Sequence, residues 1–206
     1  MYKRYVKRIL DFVFAIILII ILSPIMVIAA IAIKIEDSNG PVLFKQKRLG
    51  KDAKIFTVYK FRTMKVETEK DGKPLTDMER MTKVGSILRK ISIDELPQIF
   101  NIFRGEMSFI GPRPLLVQYL ELYTPEQMRR HEVLPGISGW AQVNGRNAIS
   151  WEEKFKLDVW YVDNQSFLID LKILFMTIYN ILKREGINNS KKDTMPYFRG
   201  SSKSNT

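Results

Sequence analysis

The sequence predicts an α+β protein, with a membrane-embedded re-entrant segment (helix, break, helix) ahead of a mostly helical globular domain that carries a small β-hairpin. Three observations support this. An apolar run, FVFAIILIIILSPIMVIAAIAI, extends from Phe12 to Ile33 and is interrupted only by Ser23 and Pro24. Beyond it, the strand-like runs VLFKQK and IFTVYKF flank Leu49-Gly50-Lys51-Asp52, which has turn chemistry. The remainder alternates amphipathic or capped stretches with glycine- and proline-bearing loops.

The apolar run would be about 33 Å long as one helix, enough for a hydrocarbon core of about 30 Å. Pro24 removes a backbone hydrogen bond near its middle, and splits it into Phe12–Leu22 and Ile25–Ile33. Each half is about 14–17 Å long, roughly half the bilayer core. Lys3, Arg4, Lys7 and Arg8 precede the run, and Lys34, Lys45, Lys47, Arg48, Lys51 and Lys54 follow it. Because lysine and arginine hold their flank in the cytoplasm, both ends favour the same side, and a re-entrant path satisfies that rule. Ser23 and Pro24 form the break. A signal peptide would have a shorter apolar region without basic residues after it. A kinked spanning helix stays open as the alternative.

With 206 residues and a hydrophobic content of 46%, the chain can bury a core, which excludes general disorder. It has no cysteine and a single histidine, His131, which excludes zinc fingers, iron–sulfur clusters and thiol catalysis. Any metal would be a hard cation held by oxygen. Lysine and arginine number 33 against 22 acids, a net charge of +11, so a polyanionic partner is expected. No nucleic-acid-binding motif is present, and no nucleic acid is expected.

The domain reading is residues 1–35 for the membrane segment with its basic start, 36–186 for the globular part and 187–206 for a polar, mobile tail. Within 36–186 the hairpin occupies Pro41–Phe61 and Val66–Pro74 is a loop. A helix is expected from Thr76 to Lys90, with Met81, Val84, Leu88 and Ile91 on its apolar stripe and Gly85 as an unfavourable residue. A shorter helix begins near Asp94 and stops at Gly105. MSFIGPRP reads as a strand running into a rigid loop, because Pro112 and Pro114 flank Arg113. LPGISGWAQVNGRN reads as a loop. Ser150 and Glu153 form a capping box for a helix to Tyr161, and Ser166 caps a last helix that ends near Arg184. That last helix is more apolar than a single core-facing stripe requires, which suits a membrane-interface helix as well as a buried one.

The adjacent acids Asp94-Glu95 are the first candidates for chemistry. With Asp94 as N-cap they would lie at the positive end of a helix dipole, which favours ionised carboxylates fit for a nucleophile or a magnesium ligand. The plainer reading makes them ordinary helix-start acids, with Ser92 and Glu95 as a capping box. Around them in sequence stand Lys60, Arg62, Arg89, Arg113 and Arg146. Arginine's planar fork matches phosphate oxygens, and proline or glycine contexts hold it in place. No Walker-type loop and no dinucleotide fingerprint occurs, so side chains would grip any phosphate. His131 reads as a surface or helix-end residue, and Trp140, Trp151 and Trp160 as core or interfacial aromatics.

KRILDF at the start, Ser23-Pro24, YKFRTM (Tyr59–Met64), IDELPQ around Asp94-Glu95, FIGPRP (Phe109–Pro114) and PGISGWAQVNGRN (Pro135–Asn147) together resemble the bacterial sugar transferases, or monotopic polyprenyl-phosphate phosphoglycosyltransferases. The likeness covers nearly the whole chain, and its look is closest to the small enzymes that transfer N,N'-diacetylbacillosamine 1-phosphate. It implies transfer of a sugar 1-phosphate from a UDP-sugar to undecaprenyl phosphate, with release of UMP, at the cytoplasmic face of the bacterial inner membrane. It implies Asp94 as the nucleophile of a covalent phosphosugar intermediate, and Glu95 with Asp94 as holders of Mg²⁺. Arg89, Arg113 and Arg146 are expected to contact phosphate, with Lys60 assisting and Asp170 a weaker candidate. Monomer and homo-oligomer are both open. The alternative is a non-catalytic basic membrane-surface adaptor that binds anionic lipids.

Overall fold

A computed structural model describes residues 1–70, 72–145, 149–183 and 197–201. The chain divides into two compact units: Met1–Phe12 with Lys47–Phe56 and Arg104–Thr206, and Val13–Gln46 with Thr57–Phe103. The class is α+β, as expected, with small sheets set among helices.

Helix α1 runs unbroken from Lys7 to Glu36 with Pro24 inside it. The split expected at Pro24 is therefore a missing bond within a continuous helix. Proline cannot donate to the carbonyl four residues back, which is that of Ile20. The Ser23 hydroxyl donates to this same carbonyl at 2.9 Å, so the neighbouring serine satisfies the orphaned acceptor. Among the described residues this is the one helix long and apolar enough to cross a membrane. Most of its apolar side chains, from Phe12 through Ile31, are exposed, while Ala15, Ala29 and Ile33 are buried.

In the unit holding Val13–Gln46 and Thr57–Phe103, Ala29 and Ile33 of α1 pack on Phe61 and Leu88. Strands β1 (Leu43–Leu49) and β2 (Ile55–Phe61) form the expected hairpin. The stretch expected to be a loop contains a short antiparallel pair, β3 (Glu69–Lys70) and β4 (Lys73–Pro74). Gly72 has the positive φ, +73°, that such a tight turn requires. The helix expected over 76–90 is divided into α2 (Asp77–Arg80) and α3 (Lys83–Lys90). Capping chemistry overrides periodicity here. Thr76 and Glu79 close a capping box, and the Thr82 side chain accepts from Gly85 N to start a second helix. Helix α4 follows at Gln98–Arg104.

In the other unit, β5 (Ser108–Ile110) pairs in parallel with β6 (Gly136–Ser138), a segment expected to be loop. Gly136 explains the contact, because a Cβ there would lie 2.1 Å from Gly111 N, so only glycine admits this backbone approach. Helix α5 (Pro125–Met128) is capped by Thr124, and α6 (Trp140–Asn144) lies within the second expected loop. Helix α7 runs Trp151–Asn164 and α8 runs Phe167–Leu182, with Ser150 and Ser166 accepting from Glu153 N and Ile169 N as expected. Residue 184, the expected helix end, lies outside the described residues. Phe198 departs from the polar-tail reading. It is buried against Tyr119, Phe155 and Leu115, since an aromatic ring gains more from that cluster than from water. Outward on α8, Leu168, Phe175, Tyr179 and Ile181 are exposed, while Ile173 is fully buried.

His131 ends the 3-10 turn Arg129–His131, as the helix-end reading has it, but the surface reading is corrected, since it is buried, with Nδ1 3.0 Å from the Gly50 carbonyl. A carbonyl only accepts, so the neutral ring carries its proton on Nδ1. Burial, with the nearby Arg130 charge, pushes its pKa from 6.5 down to about 4. Between those values the unfolded chain binds the extra proton and the folded chain does not, so stability falls as pH drops through that window. The expected slope is up to about 1.4 kcal/mol per pH unit. His131→Gln should flatten the pH dependence of thermal unfolding between pH 4 and 6.5 relative to the parent; equal slopes would contradict this.

Candidate active site

The unit that holds Thr57–Phe103 brings four of the predicted residues together: Lys60, Arg89, Asp94 and Glu95. Lys60, near the end of β2, donates to Glu95 Oε1 at 2.6 Å, with both side chains largely shielded. Asp94 and Glu95 occupy a single 3-10 turn, Ile93–Glu95, ahead of α4. Neither helix-start expectation is realised. Asp94 is not the N-cap of α4, and Ser92, left-handed at φ +57°, makes no side-chain cap bond.

This placement changes the electrostatics. Burial first, and the Glu95 charge second, push the Asp94 pKa up, while Lys60 and Arg89 pull it down. The expected helix-dipole relief is outweighed because the turn is short and the carboxyl is partly desolvated. Asp94 is thus a carboxylate held in an environment that disfavours its charge, beside two cations. The arrangement suits a group whose charge is to be passed to, or shared with, a phosphate.

The scaffold around this cluster uses residues that motif reading missed. Asn101, fully buried on α4, donates to Thr57 O at 2.7 Å and accepts from Tyr59 N at 3.2 Å, and so acts as a surrogate strand for the segment that carries Lys60. Glu36, at the end of α1, accepts from Lys83 N and Val84 N at 2.6 and 2.7 Å. With the Thr82 bond to Gly85 N, the first three amides of α3 are all satisfied. Arg62 is buried and bound to Asp37 at 2.9 Å, which makes it a strut in this unit. Arg89 Nε donates to Thr63 Oγ1 at 3.0 Å. A polar side chain inside QIFNIF and an acid pair directly after the apolar run were the available signals.

Gly85, unfavourable by propensity, is required by proximity, because a Cβ there would lie 2.1 Å from the Thr63 carbonyl oxygen. Gly85→Ala should push α3 and Arg89 away from Thr63 and cost about 1–3 kcal/mol by overpacking. Thermal unfolding checks this against Ile87→Ala, on the exposed side of the same helix, which should be near neutral.

Arg113 and Asp170 belong to the other unit, and Arg146 is not among the described residues. Arg113 is exposed between the buried Pro112 and Pro114, and its carbonyl accepts from Arg130 Nη2 at 2.8 Å. Asp170 accepts from Tyr2 Oη at 2.5 Å, Lys7 Nζ at 2.6 Å and Tyr161 Oη at 2.6 Å, so its oxygens are engaged in locking the chain start to α8.

Among the described residues no group of three or more His, Cys, Asp or Glu side chains converges. Two adjacent carboxylates nevertheless suit Mg²⁺, which takes one or two protein oxygens and completes its shell with water and substrate phosphate.

A chain with a long apolar helix, a carboxylate pair beside two cations and an arginine framed by prolines has the parts of a transferase of phosphate-bearing groups. It belongs to the bacterial sugar transferase family, whose model matches residues 2–184. It is similar to the uncharacterized sugar transferase EpsL of Bacillus subtilis, at 54% identity over 95% of this chain and 96% of that one. It is also similar to the UDP-N-acetylgalactosamine-undecaprenyl-phosphate N-acetylgalactosaminephosphotransferase of Aeromonas hydrophila, at 44% identity over 86% of this chain and 44% of the relative. The UDP-glucose:undecaprenyl-phosphate glucose-1-phosphate transferase of Escherichia coli shares 41% identity over 86% of this chain and 40% of its own length. The chain thus spans less than half the length of the last two.

Proposed function

We propose that this enzyme transfers a sugar 1-phosphate from a UDP-sugar to undecaprenyl phosphate, releases UMP and leaves a polyprenyl-diphosphate sugar. The observation that carries this is the partly buried Asp94-Glu95 pair with Lys60 and Arg89 beside it. The named activities of the Aeromonas and Escherichia relatives support the substrate classes.

Asp94 is the nucleophile. One carboxylate oxygen attacks the β-phosphorus of the donor, the bond to the bridging oxygen breaks, and UMP leaves with that electron pair. An oxygen of undecaprenyl phosphate then attacks the same phosphorus and frees the carboxylate. Asp94's environment disfavours its charge, which raises its readiness to form the acyl-phosphate bond. Lys60 and Arg89 offset phosphate charge, and Arg113, rigidly framed by prolines, is proposed as a further phosphate contact, together with Arg146. Asp94 and Glu95 would hold Mg²⁺, which when bound neutralises diphosphate charge.

The way α1 is tied down supports a reading of its place in the membrane. Lys7, at its start, is bound to Asp170, and Glu36, at its end, to the backbone of Lys83 and Val84. Between residues 37 and 166 no described helix is long and apolar enough to cross a bilayer. The arrangement we favour is re-entrant: the exposed apolar middle of α1 enters the membrane and returns, with Pro24, where the helix lacks a backbone hydrogen bond, as the point of bending. The basic residues at both ends support a cytoplasmic location for both flanks. The exposed apolar side chains of α8 suit a helix lying in the same interface.

The test is UMP release from a panel of UDP-sugars by purified protein with Mg²⁺ and undecaprenyl phosphate. Turnover that depends on the lipid with at least one donor is expected. Membrane binding without release from any donor, in an assay where the Escherichia relative works, would favour the adaptor instead.

A further inference from the structure

The unit containing the chain start holds a cavity of about 630 Å³ whose wall includes Lys3, Arg4, Lys7, Arg8, Asp11 and Lys51. Five of those six are cations. Of the charges here, Lys7 is compensated by Asp170, and Glu132, also in the wall, is bridged to Arg129. Lys3 is held by neutral acceptors, the carbonyls of Val162 and Asp163. Arg4, Lys7 or Arg8, and Asp11 recur at helical spacing, so they form one stripe facing the cavity. Around the same turns Ile9, Phe12 and Val13 are exposed and apolar. The cavity therefore lies where the apolar run of α1 begins. One further group points to a ligand. Asp11 is 4% exposed; its carboxyl has the Lys7 charge and the Ser108 side chain beside it, Oδ1 accepts from Phe109 N at 3.2 Å, and Oδ2 is buried with no geometrically formed hydrogen bond. A site with several cations and one idle carboxyl oxygen matches an anionic phosphodiester that also carries a hydroxyl donor.

We infer that this cavity binds the headgroup of an anionic membrane phospholipid with a polyol head, the cations taking the phosphodiester and Asp11 Oδ2 accepting from a headgroup hydroxyl. The lipid pins the start of α1 at the membrane surface. None of this requires the transferase reading, because binding is read without turnover.

The experiment counts phosphatidylglycerol retained on full-length protein in neutral detergent by native mass spectrometry, for the parent and for Arg4→Gln/Lys51→Gln. Both substituted side chains are exposed, so folding is unaffected. One bound lipid per chain is expected, with dissociation constants about thirtyfold higher in the double variant. Phosphatidylethanolamine should bind at least about tenfold more weakly, because its ammonium group meets the same cations. Asp11→Asn keeps an acceptor for Phe109 N and should retain phosphate affinity while losing the preference for phosphatidylglycerol over phosphatidic acid. Equal retention by parent and double variant would overturn the inference. So would displacement by an equal concentration of glycerol 3-phosphate, which would identify a free-phosphate site. Stronger retention of undecaprenyl phosphate than of phosphatidylglycerol would overturn it too, by assigning the cavity to the carrier lipid. UMP release measured on the same samples reports separately on the transferase reading.

Discussion

Asp94→Asn should abolish turnover, lowering UMP release by at least about a thousandfold, while the protein becomes no less stable and melts at an equal or higher temperature. The two effects have one cause. Burial and the Glu95 charge raise the pKa of Asp94, so the ionised carboxylate is worse off in the folded chain than in the unfolded one. A carboxyl with a raised folded pKa costs stability once pH exceeds its unfolded value, and the cost grows until pH passes the folded one. Asparagine keeps the shape, removes the charge and cannot form the acyl-phosphate bond. A purely structural Asp94 would show the opposite pairing, with stability lost and activity following it. Glu95→Gln separates the neighbours. It removes the Lys60 partner seen at 2.6 Å but leaves the nucleophile, so slowed release that still forms a trapped phosphosugar adduct is expected. An Asp94→Asn enzyme with near-parental release would reject the covalent route.

Much of this was readable from local chemistry. The run from Phe12 to Ile33 announces α1 by length alone, and Ser150 and Ser166 announce the starts of α7 and α8 because an N-cap hydroxyl acts within three residues. The Asp94-Glu95 dyad stood out as a pair of acids amid cations, and Lys60 and Arg89 are beside it. What was hidden depends on partners distant in sequence. Ser108–Ile110 reads as a strand from MSFI, but the three residues Gly136–Ser138 read as loop, because only the parallel partner makes a strand of them. Glu36 looks like a trailing charge after an apolar run until Lys83 and Val84 supply their amides. The break between α2 and α3 was hidden differently. Met81, Val84, Leu88 and Ile91 keep helical spacing across it, and only the competing threonine caps reveal that the chain restarts. Asp94's raised pKa was misjudged because a dipole argument needs a helix, and the acids occupy a single 3-10 turn.

Arg130→Met should lower the unfolding free energy by about 3–5 kcal/mol, a fall of about 6–20 °C in melting temperature for a chain of this size. Arg130 and Asp158 are each 2% exposed at the side chain, and the guanidinium reaches Asp158 Oδ2 at 3.1 and 2.8 Å from Nε and Nη2. Burial pushes the Asp158 pKa up, and Arg130 is the main influence opposing it. Removing the arginine strands a carboxyl where water cannot reach it. If that is the dominant cost, Arg130→Met/Asp158→Leu should recover most of the loss, because an apolar pair of similar volume has no charge to solvate. Arg130 has a second duty, since its Nη2 also donates to the Arg113 carbonyl at 2.8 Å and so braces the Pro112–Pro114 loop. The double variant separates these duties. Recovered stability with a raised KM for the UDP-sugar would mean that the ion pair's stabilising role is replaceable and its bracing of Arg113 is not. A double variant as unstable as the single would locate the loss in the loop contact, and stranded charge would no longer explain it.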